Sequence, residues 1–238
     1  MCRIKAPNPP AQHTSVISAG PNFITLPYTP IGRAPVVLTT AVQTIFDTLI
    51  NSFIADKVGV ADDFLSIALS AFLKQNLLGL YNSGQLLNAG TGNATLVLHD
   101  KLVRGDKIYW LDRQHNNLHE NNFFDLMDSF ILYLNATCYT GITGYEFHYT
   151  IYEKGSFYKT HLDQFSNNKT RAYSMIMYLN ADWLPADGGE LRIHHANCQQ
   201  SIAPVSGKCV FFKSSDLLHE VLLTQQPRLS ITGWLKTN

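Results

Sequence analysis

The spacing of apolar residues in this 238-residue chain changes near Glu146, and this change constrains the fold more than any other feature. Before Glu146, apolar residues recur every three or four positions; after it, they alternate with polar residues. The first spacing is typical of an amphipathic helix, and the second of a half-buried strand. Helices followed by many short strands predict an α+β fold built on a β-sandwich or barrel.

Three helices and one short strand are predicted before Glu146, and six strands after it. The early elements are a helix capped by Thr39 or Thr40 with an apolar stripe from Val42 to Ile54, a strand at Val58–Val60, a helix capped by Asp62 or Asp63 that ends near Leu80, and a helix at about 122–135. The six later strands are the segments EFHYTIY, RAYSMIMYLN, ELRIHH, KCVFF, HEVLL and RLSITGWL.

Residues 1–37 contain most of the prolines and have little periodicity, which predicts an extended, proline-rich N-terminal arm. Residues 38–238 are predicted to form a single domain. In this division, residues 38–145 provide helical support and residues 146–238 provide the main barrel strands.

Charge and cysteine spacing argue against several classes of protein. Lys and Arg number 18, as do Asp and Glu, so no net charge attracts nucleic acid or anionic lipid. No stretch approaches the ~18 apolar residues of a membrane span, and the start of the chain does not resemble a signal peptide. The four cysteines have no short spacing that would indicate a zinc site. We therefore expect a cytoplasmic protein with reduced thiols that binds neither nucleic acid nor membrane.

Two histidines and an aspartate are the strongest candidates for a metal site. His161 and Asp163 are two residues apart, and on a strand such residues point to the same face. His219 lies at the start of the segment HEVLL. Two histidines and one carboxylate form the facial triad of non-haem Fe(II) oxygenases, which leaves coordination positions open for substrates. Taken singly, the pair could equally be a strand end at the surface, and His219 a core or capping histidine.

Arg228 is a further candidate because of the residues that share its strand face. Arg228, Ser230, Thr232 and Trp234 alternate with the apolar residues of RLSITGWL. This face suits a lined cavity in which the guanidinium binds a carboxylate through two hydrogen bonds. A partly exposed arginine at a strand start is the alternative.

Together these features resemble the 2-oxoglutarate- and Fe(II)-dependent dioxygenases, and among them the oxygen-sensing prolyl-hydroxylase-domain group and its bacterial relatives. The resemblance covers about 38–238. It rests on Asp62-Asp63-Phe64-Leu65, Gly84-Gln85-Leu86, Arg104-Gly105-Asp106-Lys107-Ile108-x-Trp110, Tyr152, His161-Leu162-Asp163, Arg171, Tyr178-Leu179-Asn180-x-x-Trp183, Gly188-Gly189-Glu190-Leu191, Pro204, Phe211-Phe212, His219-Glu220-Val221, Arg228 and Thr232-x-Trp234.

The resemblance implies a double-stranded β-helix, a jelly-roll or cupin-like barrel, with the N-terminal helices packed on one outer sheet. It also implies Fe(II), 2-oxoglutarate and O2 as cofactor and cosubstrates, with ascorbate as an optional reductant. The implied site residues are His161, Asp163 and His219 for iron; Arg228, Tyr178, Tyr152 and Thr232 for 2-oxoglutarate; and Arg104, Asp106, Arg171 and Trp234 for substrate.

The implied activity is prolyl hydroxylation of a protein or peptide that carries a target proline, with elongation factor Tu as a candidate by resemblance. Hydroxylation of a small molecule, or of another residue type in a protein, is the alternative. A nucleic-acid demethylase of the AlkB type is disfavoured because its second arginine is replaced here by Trp234. A non-enzymatic binding domain is disfavoured because the three ligands and the arginine are all present. The oligomeric state stays open.

Overall fold

The computed structural model describes residues 38–90, 103–164 and 169–237. Within them the α-helices are α1 (Thr40–Asp56), α2 (Ile67–Asn82) and α3 (Leu118–Cys138), and short 3-10 helices occupy Arg113–His115 and Pro185–Asp187. The strands are β1 (Val58–Ala61), β2 (Leu87–Asn88), β3 (Asp106–Trp110), β4 (Gly144–Tyr152), β5 (Tyr158–His161), β6 (Arg171–Tyr178), β7 (Leu191–His194), β8 (Gln199–Ile202), β9 (Cys209–Lys213), β10 (Leu218–Val221) and β11 (Arg228–Lys236).

The strands form two antiparallel sheets. The larger sheet has the order β1-β9-β6-β11-β4-β3-β2, and the smaller sheet has the order β5-β10-β7-β8. Strands that are distant in sequence lie side by side, as in the pairing of β11 with both β4 and β6. This arrangement confirms the predicted double-stranded β-helix.

The larger sheet has apolar contacts on both of its faces. On one face the ring of Phe130 from α3 lies 5.0 Å from Phe46 of α1 and 5.8 Å from Phe211 of β9, measured between ring centroids. On the other face, Tyr178 of β6 packs in a separate cluster with Leu191 of the smaller sheet. The period-two pattern therefore sends alternate residues to the helices and to the second sheet, and the prediction that the helices pack on one outer sheet is confirmed.

Two predicted helix starts are wrong. The N-cap of α2 is Ser66, whose hydroxyl accepts a hydrogen bond from the Leu69 N–H, whereas Asp62 and Asp63 lie in the preceding turn. Helix α3 begins before residue 122 because the side chain of Asn117 accepts hydrogen bonds from the first free N–H groups of the helix. Its first turn is largely polar, so the apolar stripe begins later than the helix.

Four strands, β2, β3, β5 and β8, were not predicted from the sequence. β5 and β8 are the two edges of the smaller sheet, and of β8 only Ile202 is buried. Edge strands bury few side chains, so their apolar alternation is weak. The predicted N-terminal arm, residues 1–37, lies outside the described residues. No helix among the described residues is long and apolar enough to cross a membrane.

Candidate active site

The three candidate metal ligands meet on the smaller sheet. Because β5 and β10 pair in antiparallel register, His161 lies directly opposite His219. The Nε2 atoms of His161 and His219 lie 3.4 Å and 3.6 Å from Oδ1 of Asp163. The predicted reason for this geometry needs one correction, since β5 ends at His161 and Asp163 follows in the next turn rather than on the strand.

Hydrogen bonds fix the orientation of all three side chains. Nδ1 of His161 lies 2.8 Å from the Lys159 carbonyl oxygen, and Nδ1 of His219 lies 3.0 Å from the Leu217 carbonyl oxygen. A carbonyl can only accept, so each Nδ1 carries a proton, and each Nε2 faces Oδ1 of Asp163, where it can bind a metal. The Ser174 hydroxyl donates to Oδ2 of Asp163 over 2.6 Å, which leaves Oδ1 directed at the histidines.

Asp163 is ionised, and in the metal-free site a proton on His219 offsets its charge. Burial by itself would raise the pKa of Asp163, but the charge of protonated His219 and the hydrogen bonds from both histidines hold that pKa well below its usual range. Burial would likewise lower the pKa of His219, but Asp163 raises it above its usual value. The ligand atoms of the three residues lie within 4.8 Å of one another. Two imidazoles and one ionised carboxylate in this arrangement fit Fe(II).

We expect the Ser174→Ala variant to bind Fe(II) about 10- to 100-fold more weakly, which is the usual cost of removing a hydrogen bond that orients a ligand. The measurement is calorimetric titration under nitrogen. The matched control is Ser129→Ala, a buried serine that hydrogen-bonds the backbone of α3. Equal iron affinity in the two variants would contradict the role assigned to Ser174.

Arg228 begins β11 and is almost completely buried, with 1% of its surface exposed. Its guanidinium lies 5.1 Å from the ring centre of Tyr152 and 5.0 Å from that of Tyr178. Its Nε donates to the Gly189 carbonyl oxygen over 2.8 Å. Among the described residues, neither Nη2 of Arg228 nor the Tyr178 hydroxyl has a hydrogen-bond partner.

Unpaired buried donors of this kind are rare in proteins, and they are complementary to a ligand carboxylate. Burial raises the pKa of Tyr178 to about 12, although Arg228 opposes the shift, so the hydroxyl keeps its proton and can donate. The two residues therefore fit one carboxylate of 2-oxoglutarate. Thr232 and Trp234 line the same cleft, whereas Leu229, Ile231 and Leu235 of β11 belong to the core on the other face.

Gly189 contacts Arg228, although no local pattern in the sequence predicts this contact. Its φ is +68°, and an added Cβ would lie 2.9 Å from Oγ1 of Thr224 and 3.3 Å from Cδ of Arg228. A side chain at this position would therefore displace both the turn and the arginine.

We expect the Gly189→Ala variant to raise the dissociation constant for 2-oxoglutarate about tenfold, because it disturbs a hydrogen bond to a charged group. Titration with 2-oxoglutarate in the presence of Zn(II) measures the effect. The control is Gly155→Ala, which also has a positive φ, of 83°, but whose added Cβ would meet nothing within 4 Å. An identical effect in the two variants would indicate backbone strain alone.

A cleft of about 1020 Å³ connects the metal ligands and Arg228 with the other predicted residues. At the mouth of the cleft the Arg171 guanidinium stacks on Trp234, 3.4 Å from the ring centre. The same guanidinium pairs with Glu146 over 2.8 Å. Trp110 and Trp234 lie 6.4 Å apart there. The structure thus places Arg171 and Trp234 side by side at the mouth of the cleft.

Arg104 and Asp106 neutralise each other. Nε and Nη2 of Arg104 donate to the two carboxylate oxygens of Asp106 over 2.7 Å and 2.6 Å. The guanidinium lies 4.3 Å above the ring of Tyr158, and Tyr158 stacks on His161 at 3.6 Å. The ion pair thus supports the ring of Tyr158, which packs against the metal ligand His161. Both residues of the pair also line the cleft.

Ser174 and Tyr158 were not identified as site residues from the sequence. Ser174 alternates with Ile176 and Tyr178 on β6, and this shared face was a usable signal. Tyr158 offered none, because its stacking on His161 depends on the geometry of the short edge strand β5.

Comparisons with known proteins agree with this geometry. The family model of the 2OG-Fe(II) oxygenase superfamily matches residues 147–236. A prolyl-4-hydroxylase from Pseudomonas putida is 30% identical, with a TM-score of 0.73, over 81% of this chain and 99% of that chain. A prolyl hydroxylase from Trichoplax adhaerens, solved with a hypoxia-inducible-factor oxygen degradation domain peptide fragment, is 26% identical, with a TM-score of 0.73, over 82% of this chain and 90% of that chain.

A structure of a prolyl 4-hydroxylase from Phytophthora capsici is 17% identical, with a TM-score of 0.66, over 87% of this chain and 69% of that chain, and this similarity concerns the fold alone. The similarity to the Pseudomonas putida enzyme covers nearly all of that enzyme. The chain therefore belongs to the 2-oxoglutarate- and Fe(II)-dependent dioxygenase superfamily, and it is an enzyme that uses Fe(II), 2-oxoglutarate and O2.

Proposed function

We propose that this enzyme is a prolyl hydroxylase that acts on a peptide segment of another protein. The observation that carries the proposal is the 30% identity to a prolyl-4-hydroxylase over 99% of that chain. The cleft of about 1020 Å³ supports it, because this volume is at the upper end of the ~300–1,000 Å³ typical of small-molecule pockets. A longer substrate therefore fits the cleft better than a free amino acid.

In this proposal His161, Asp163 and His219 bind Fe(II). Arg228 and Tyr178 bind the distal carboxylate of 2-oxoglutarate, and Tyr152 and Thr232 line the same pocket. The bound iron, with 2-oxoglutarate and O2, supplies an oxidation that yields succinate and CO2 and hydroxylates a C–H bond. The protein holds the reactants in position and excludes water through the apolar contacts between the two sheets.

The substrate peptide would enter at the mouth of the cleft, where Arg171 and Trp234 are stacked. Arg171 covers Trp234, so the half-exposed indole of Trp110 beside it offers the flat apolar surface for a proline ring. Arg104 and Asp106 also line the cleft, but nearer to the metal ligands, because Asp106 is paired with Tyr152 and Arg104 lies over Tyr158. Their mutual ion pair holds both side chains in position.

The wider proposal assigns residues 38–238 to one catalytic domain, with residues 38–145 as support and 146–238 as the barrel. Elongation factor Tu is the first substrate to test, and ascorbate the first reductant. We place the enzyme in the cytoplasm, where a reducing environment suits its thiols at Cys138 and Cys209.

The test is succinate formation from 2-oxoglutarate with Fe(II), in the presence of proline-containing peptides or purified elongation factor Tu. Mass spectrometry locates any added oxygen. The expected result is turnover that the peptide or protein stimulates, with the oxygen on a proline. Oxygen on another residue type, or stimulation by small molecules alone, would replace the proposed substrate.

A further inference from the structure

Strand β4 presents alternate residues to the cleft, and one of them is a buried histidine. Glu146, His148, Thr150 and Tyr152 all line the cleft, and His148 is only 3% exposed. Its ring lies 4.9 Å from that of Trp110 and 5.6 Å from that of Trp234. His148 has no part in the iron or 2-oxoglutarate contacts described above.

One nitrogen of this ring is occupied by its own strand. Nδ1 of His148 lies 3.2 Å from the Tyr149 carbonyl oxygen and 2.9 Å from Oγ1 of Thr150. The carbonyl can only accept, so the tautomer protonated at Nδ1 satisfies both contacts, and Nε2 is left with a lone pair. Burial lowers the pKa of His148 to about 4, so the ring is neutral at pH 7. Nε2 makes no hydrogen bond to a described residue.

Packing alone does not account for a histidine here. A leucine or methionine would fill similar space between two indoles without an unpaired polar atom. Trp234, which is 8% exposed, also has an Nε1–H without a hydrogen-bond partner among the described residues. The cleft lining at this position therefore contains an acceptor, Nε2 of His148, that a peptide N–H can satisfy.

The position of His148 suits contact with a peptide on its way to the metal. In the larger sheet His148 is paired with Trp110 on one side and Thr232 on the other. Tyr152, which is paired with Arg228, lies four residues after His148 on β4. This separation corresponds to about 13 Å along the strand. His148 thus lies nearer to Trp110 and Trp234, at the mouth of the cleft, than to Arg228.

We propose that Nε2 of His148 accepts a hydrogen bond from a backbone N–H of the substrate peptide, and that the enzyme thereby selects peptides with a free N–H at one fixed distance from the target proline. The inference rests on the proposed function, because it requires a peptide substrate. A cationic ligand group is disfavoured at this position, since the Arg171 guanidinium is stacked on Trp234 beside it.

The test compares a blocked heptapeptide with a central proline to the same peptide methylated at each backbone nitrogen in turn. Binding is measured with Zn(II) and 2-oxoglutarate under nitrogen, by quenching of tryptophan fluorescence, since Trp110 and Trp234 line the cleft. Two variants separate the ring nitrogens. In His148→Asn the side-chain amide reaches the position of Nδ1 and leaves no acceptor at Nε2, whereas the amide oxygen of His148→Gln reaches the position of Nε2.

In the wild type and in His148→Gln, methylation at one nitrogen is expected to weaken binding about tenfold. In His148→Asn, that penalty is expected to disappear. If methylation weakens peptide binding equally in the wild type and in both variants, the inference is overturned, even if the parent peptide is hydroxylated. If the loss of binding on methylation depends on residue 148 but the proline is not hydroxylated, the proposed target residue is overturned instead. A wild type that binds none of these peptides would overturn both the inference and the proposed function.

Discussion

The Arg228→Met variant is expected to lose at least about 100-fold in affinity for 2-oxoglutarate and to keep its affinity for metal. Two charge-assisted hydrogen bonds to one carboxylate would be lost together. Within the described residues Arg228 has no carboxylate partner, and its Nη2 is unpaired. A buried cation without a counter-charge is destabilising, so the ligand-free variant should also unfold at a higher temperature than the ligand-free wild type.

Thermal unfolding with increasing 2-oxoglutarate, at constant Zn(II), measures both effects. Binding to the folded state raises the unfolding temperature of the wild type, and this rise should be absent in the variant. The control is Arg192→Met on β7, where the arginine is half-exposed and lies 3.9 Å from Glu220. A wild-type response in Arg228→Met would refute the assignment of the carboxylate site.

The His219→Ala variant is expected to lose more than about 100-fold in Fe(II) affinity, a larger loss than that from any residue that only orients a ligand. His219 supplies one of three ligand atoms, and Asp163 would be left beside His161 alone. The fold should persist, because the core between the helices and the larger sheet does not include His219.

Calorimetric titration with Fe(II) under nitrogen measures the loss, and circular dichroism checks the fold. His194→Ala is the matched control, because His194 lies on the neighbouring strand β7 and contacts Glu220 instead of Asp163. Iron affinity equal to that of the wild type in His219→Ala would exclude this residue as a ligand. If this variant does not fold, Asp163→Ala provides the same test.

Much of the site could be predicted from the sequence because its signals are local. The alternation along RLSITGWL placed Arg228 and Thr232 on one face, and the structure brings both to the cleft. The same alternation along β6 separated Tyr178 from Met177, which packs toward the helices. Strand geometry alone determines which side chains share a face, so these assignments needed no knowledge of neighbouring strands.

Other parts of the site depend on register between distant segments. His161 meets His219 only because β5 pairs with β10 in one alignment, and β5 itself has too weak an apolar pattern to be recognised. The sequence likewise contains no sign that Arg104 is neutralised by Asp106.

The face that each strand turns to the cleft follows from the amino-acid sequence, because backbone geometry repeats every two residues in a strand. Contacts between side chains of different strands and sheets depend on the tertiary fold. His148 shows this dependence most clearly. In the sequence it is one of several polar residues on β4, and only the fold places its ring between Trp110 and Trp234. Hydrogen-bond pairing between strands sets these neighbours, and a one-residue shift in register would exchange the faces.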